Sequence, residues 1–191
     1  MTKELYISDD ILQKIQKFDS IIFDCDGVLV DIRNSYDNAI NKTISAIMKE
    51  LFDDEIGNIV TSKIHFGLKS VGGFNDEVAV VYAIVMTLVA SKKSNISFKE
   101  LIIDVINNAN ESGINSIDNY FINQNIDLAK IKSKLDYANS RKVSYIHKIF
   151  NQLFYGPTLY KEIFNEKSQF TEKPLIDLDN VVLDDNLMSK L

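Results

Sequence analysis

Ile21-Ile22-Phe23-Asp24-Cys25-Asp26-Gly27-Val28-Leu29-Val30-Asp31 is the stretch that decides the fold. Its three leading apolar residues predict a strand over residues 20–25, buried on both faces of a parallel sheet. The acidic residues and Gly27 end that strand at once. In extended geometry, positions i and i+2 point the same way. Asp24 and Asp26 therefore share one side at the carboxyl end of the strand, where open α/β sheets place their ligands. Gly27 permits a tight turn and a close approach of backbone to a ligand. Two neighbouring carboxylates repel, so a hard cation bound by oxygen, Mg2+ above all, fits between them. One carboxylate can attack phosphorus and the other can carry a proton. A plain solvated acidic turn is the bland alternative. A calcium loop also opens as D-x-D, but it needs a ligand, a glycine and a glutamate where this chain has Val28, Leu29 and Ser35.

Outward from the motif the chain reads as helix. Tyr36, Ile40, Ile44, Ile47 and Leu51 recur at helical spacing, with Asn34 or Ser35 as the cap. A short segment around Ile59, Val60 and Ile64 follows, then a glycine-paired loop over residues 67–76. Residues 77–91 predict an apolar helix. Its run from Val78 to Ala90 is shorter than the roughly 20 residues a membrane span needs, so it belongs at the centre of a bundle. Further helices are expected over residues 8–18, 98–110, 114–123, 127–139 and 144–155. After a break at Gly156-Pro157, another is expected over 158–164. Residues 168–180 read as irregular. Val181 to Leu183 is either a short strand or the approach to a helix capped by Asp184 or Asp185.

The 191 residues suit one domain, or a small core with an inserted lid. At 46% hydrophobic and 25% charged the composition is that of a globular protein. The net charge of −6 argues against a nucleic-acid partner, which calls for clustered Lys and Arg. A single cysteine leaves no disulfide to form, and the acidic start lacks an apolar signal core, so a cytoplasmic location is expected. Cys25 points away from the two acids and reads as packing. His65 and His147 lack metal-ligand spacing and read as surface or packing residues.

The segment from Ile21 to Asp31 resembles the first motif of the haloacid dehalogenase-like (HAD) hydrolase superfamily, hhhDxDGhhhD, at every position. The resemblance implies an α/β, Rossmann-like core with a large all-α cap. It implies Asp24 as nucleophile, Asp26 as general acid and base, and Mg2+ held by the Asp24 carboxylate and the Asp26 backbone carbonyl. Gly27 would lie against the substrate. The presence of Asp26 favours phosphate over haloacid chemistry. A helical insertion directly after the motif is similar to the phosphoglycolate-phosphatase-like branch. Lys69-Ser70-Val71-Gly72-Gly73-Phe74-Asn75-Asp76 resembles a K-x-x-G-G-F-N-D segment of an archaeal group of such hydrolases. By that resemblance Lys69, Asn75 and Asp76 are candidate substrate contacts. Capping of the next helix by Asn75 or Asp76 is the simpler reading.

On this view residues 1–32 begin the core, 33–167 form the cap and 168–191 return towards the core. The remaining family motifs (a Ser or Thr after a second strand, a later Lys, and an acidic pair) have no place here. Asp184-Asp185 mimics only the last of them. The expectation is therefore a mostly helical chain with an incomplete core sheet, completed in a longer form, in a homodimer or by a separate chain. The expected function is Mg2+-dependent hydrolysis of a small phosphorylated metabolite, or phosphoryl transfer by a mutase. The alternative is a non-catalytic helical module that works through a partner or by self-association.

Overall fold

The computed structural model describes residues 11, 14, 17, 19–20, 22–136 and 144–182. The expected helix over residues 8–18 lies largely outside these residues, and Asp184 and Asp185 lie wholly outside them. The chain divides into two compact units. One spans Ile32–Asp179; the other comprises the residues up to Asp31 together with those from Asn180 onward.

The larger unit is a helical bundle. Its helices are α1 (Arg33–Phe52), α2 (Ser62–Lys69), α3 (Glu77–Ser94), α4 (Phe98–Asn108), α5 (Ile114–Asn123), α6 (Ala129–Leu135) and α7 (Tyr145–Phe164). Helix α3 is its axis: every residue from Val78 to Ala90 is buried, and the helix touches each of the other six. Seven of those residues are β-branched, which costs a helix up to about 0.7 kcal/mol per residue. Burial of each large apolar side chain returns roughly 1.5–3 kcal/mol, so packing decides the conformation. The expectation of a central apolar helix is met.

The neighbouring helices show ordinary amphipathic logic. Helix α4 begins with a capping box, in which Ser97 Oγ accepts from Glu100 N–H while Glu100 Oε2 accepts from Ser97 N–H and O–H. Residues 53–61 are not helical, and Asn41 ties them to α1. Its Oδ1 accepts from the amides of Ile59 and Val60 at 3.1 and 3.0 Å, and its Nδ2 donates to Asp37 O at 3.0 Å.

Several boundaries differ from expectation. Ile32, not Asn34 or Ser35, is the N-cap of α1; Ser35 lies inside the helix, where its hydroxyl donates to Ile32 O at 2.8 Å. The loop begins after Lys69 because α2 carries on through Gly67. The described part of the helix expected over residues 127–139 is Ala129–Leu135. The break expected at Gly156-Pro157 is present inside α7: Gly156 leaves the helical conformation at φ 67°, ψ 174°, and a helical segment lies on each side of it. Within residues 168–180, a 3₁₀ turn at Leu175–Leu178 packs on α1 and α7 through buried Leu175.

The smaller unit contains a two-stranded antiparallel sheet. Strand β1 (Val30–Asp31) pairs with β2 (Asn180–Val181) in the register Val30↔Val181 and Asp31↔Asn180. The ladder is extended by Val182 N–H donating to Leu29 O at 2.8 Å. The expected buried strand over residues 20–25 is not formed among the described residues. Ile22 is 97% exposed and Phe23 44% exposed. A buried strand needs hydrogen-bonding neighbours on both edges. Here the residues from Asn180 to Val182 pair with 29–31 instead. The chain is thus mostly α-helical with a small, open sheet.

Candidate active site

Asp24-Cys25-Asp26-Gly27 forms an exposed turn that leads into β1. The Cys25 carbonyl gathers the amides of Val28, Leu29 and Val30 at 3.3, 2.9 and 3.0 Å. Gly27 N–H returns to Val30 O at 2.8 Å, and Asp26 forms an isolated bridge with Val30. The turn closes only because Gly27 adopts φ +78°, a conformation costly for any residue with a Cβ. Space is not the constraint, since nothing lies within 4 Å of where a Cβ would be. Asp24 Oδ1 accepts from Cys25 N–H at 2.8 Å, which fixes the start of the turn. Cys25 is a free, exposed thiol; the expected packing role is not what this turn provides. Asp24, Asp26 and Gly27 therefore lie together, with both carboxylates in solvent.

Lys69, Asn75 and Asp76 are grouped in the other unit, at the junction of α2 and α3. Lys69 Nζ pairs with the Glu77 carboxylate and donates to Asn75 O at 3.3 Å. Asp76 is the N-cap of α3, its Oδ1 accepting from Val78 N–H at 2.9 Å. Asp76 Oδ2 lies 3.6 Å from His147 Nε2, and His147 Nδ1 lies 2.6 Å from Ser144 Oγ. That chain looks like a hydrolase triad. However, Ser144 is buried and is the N-cap of α7, accepting from His147 N–H at 3.2 Å, so its hydroxyl is a structural acceptor.

The paired glycines of the loop serve different ends: Gly72 supplies a positive φ of 83°, and Gly73 makes room for packing. A Cβ on Gly73 would come within 2.4–2.7 Å of Asn110 O and of Gly113 N and Cα. The two backbones meet there, and Phe74 is completely buried beside them.

Sequence reasoning missed the partners of these residues: Glu77, His147 and Ser144. Helix spacing alone carries no sign that α7 begins beside Asp76. It also missed a network across α3, α5 and α6 that runs from buried Tyr82 and Asp118 to the surface at Lys132. Tyr82 O–H donates to Asp118 Oδ1 at 2.6 Å, and Lys132 pairs with Asp118 Oδ2. Burial, and then the adjacent Asp118 carboxylate, push the Tyr82 hydroxyl well above its ordinary range. His65 is a packing residue, its Nδ1 2.8 Å from Asp37 Oδ1.

Among the described residues no three His, Cys, Asp or Glu side chains cluster as a metal site. No described helix is long and apolar enough to cross a membrane.

The fold is one found in a phosphatase. The particular structure is phosphatase Tt82 from Thermococcus thioreducens, which the chain matches with a TM-score of 0.52 and 21% identity over 87% of its own length. The chain spans 55% of the length of that phosphatase. No family model and no curated protein match the chain.

Proposed function

We propose that this chain is a HAD-like phosphohydrolase chain of the helical-cap type, acting on a small phosphorylated metabolite. One observation carries the reading: Asp24 and Asp26 stand exposed on a turn held by Gly27, in a chain that shares the fold of a phosphatase. The unit Ile32–Asp179 is then the cap, and the D-x-D-G turn belongs to the catalytic core.

In this reading an Asp24 carboxylate oxygen attacks phosphorus and the ester P–O bond breaks. The leaving oxygen takes its proton from Asp26, leaving an aspartyl-phosphate. Asp26 then removes a proton from water, which attacks the phosphorus; inorganic phosphate leaves and Asp24 is restored. The exposed Asp24 carboxylate and the Asp26 backbone carbonyl would hold Mg2+, a cation that keeps most of its water shell and takes one or two protein carboxylates. The ion bound there would supply positive charge for the phosphoryl oxygens. The assignment of Lys69, Asn75 and Asp76 to the substrate rests on the K-x-x-G-G-F-N-D pattern. The half-buried Lys69 ammonium would exchange Glu77 for a substrate anion.

The test is hydrolysis of p-nitrophenyl phosphate with Mg2+. Turnover should fall to background in Asp24→Asn and on chelation of the metal. Lys69→Ala should raise KM and leave kcat within about threefold, as loss of uniform binding does. Turnover that survives Asp24→Asn sinks the proposal.

A second reading has its own observation. Ile22, Val28, Val181 and Val182 are exposed beside a two-stranded sheet, and open sheet edges with apolar side chains invite a partner. A non-catalytic module that pairs with itself or another chain would show concentration-dependent sedimentation and no turnover.

A further inference from the structure

An apolar groove of about 840 Å³ runs between α2 and α4, within the larger unit and apart from every residue assigned above to phosphate chemistry. That volume is in the range of small-molecule sites, roughly 300–1,000 Å³. Its floor is made by Ile59, Ile64, Ile102 and Ile106, and Phe66 and Ile103 line it although they are 75% and 54% exposed. With the floor they make one contiguous apolar surface, the kind that marks ligand-binding grooves where singly exposed side chains do not.

The charge of the groove is the informative part. In a chain of net charge −6, its lining includes Lys63 and Lys99 and no carboxylate. Neither lysine has an ion-pair partner among the described residues. Of the carboxylates of α4, Glu100 closes the capping box with Ser97, and Asp104 does not line the groove. A second copy of the chain is a poor occupant, because a two-fold pairing of this face sets one basic, carboxylate-free lining against another.

We propose that the groove binds a single-chain anionic amphiphile, with the acyl chain along Phe66, Ile102, Ile103 and Ile106 and the anionic head between Lys63 and Lys99. The apolar wall is as long as its two helices, about 12 Å for α2 and about 16 Å for α4 at 1.5 Å per residue. A chain of around ten carbons matches that length. The anionic head supplies the charge that the lysines lack.

The probe is decanoate, titrated into the whole chain by calorimetry, with decanol as the neutral control. Decanoate should bind saturably at one site, at least about tenfold more tightly than decanol. That ratio corresponds to about 1.4 kcal/mol. The double variant Lys63→Gln, Lys99→Gln should erase the preference and leave decanol binding unchanged. Ile103→Asp, at an exposed position that leaves the helical circular dichroism intact, should abolish binding of both. The proposal is overturned by unsaturable binding, by equal affinity for decanol, by indifference to these substitutions, or by an acidic amphipathic peptide displacing decanoate at far lower concentration.

Discussion

Tyr82 and Gly73 show how single residues answer to their surroundings. The Tyr82 hydroxyl is buried and bonded to Asp118, so its folded-state pKa lies above the ordinary value of 10.0. The folded state thus holds this proton more tightly than the unfolded chain does. Its contribution is fully present below about pH 10 and is lost as pH rises above that. Tyr82→Phe should lower stability at pH 7 by about 1.5–3 kcal/mol, the range for a hydrogen bond to a charged group. It should also flatten the loss of stability above pH 10; urea unfolding from pH 7 to 11 measures both. At Gly73 the issue is space, because a Cβ would meet backbone, which cannot rotate away. Gly73→Ala should cost about 1–3 kcal/mol, read from the denaturation midpoint. A stability unchanged by that substitution would contradict the close backbone approach.

Helix α3 is the element on which the larger unit depends, and α4 shows how a helix end is set locally. Ile84 is completely buried in α3, so Ile84→Ala should destabilise by about 2–5 kcal/mol. Ser97→Ala removes one half of the capping box of α4 and should cost about 1 kcal/mol. Thermal unfolding of the two variants side by side should preserve that order. If Ser97→Ala proved the costlier, the account of burial dominating at α3 would fail. The same contrast separates α3 from the strand expected over residues 20–25. An apolar run forms helix in the middle of six others, while Ile22 and Phe23, equally apolar, stay exposed and pair with no strand among the described residues.

At the scale of the whole molecule, every buried hydrophobic residue among those described lies between Ala39 and Leu175, inside the unit Ile32–Asp179. A fragment of residues 32–179 should therefore unfold cooperatively by circular dichroism, with a midpoint within a few degrees of that of the full chain; a broad, non-cooperative melt would show that the core depends on the rest. Much of this was legible beforehand. The apolar run of α3, the 3.6-residue spacing of Ile40, Ile44 and Ile47, the turn at Gly27 and a cap at Asn75 or Asp76 are local matters of period, propensity and glycine chemistry, which a sequence carries in itself. What pairs with what is not local. The partner of β1, the Gly73–Gly113 approach, the His147 contact with Asp76, the Tyr82–Asp118–Lys132 network and the groove between α2 and α4 join residues far apart in the chain. Only the tertiary structure decided these, because packing density, hydrogen-bond partners and charge neutralisation are set by neighbours in space.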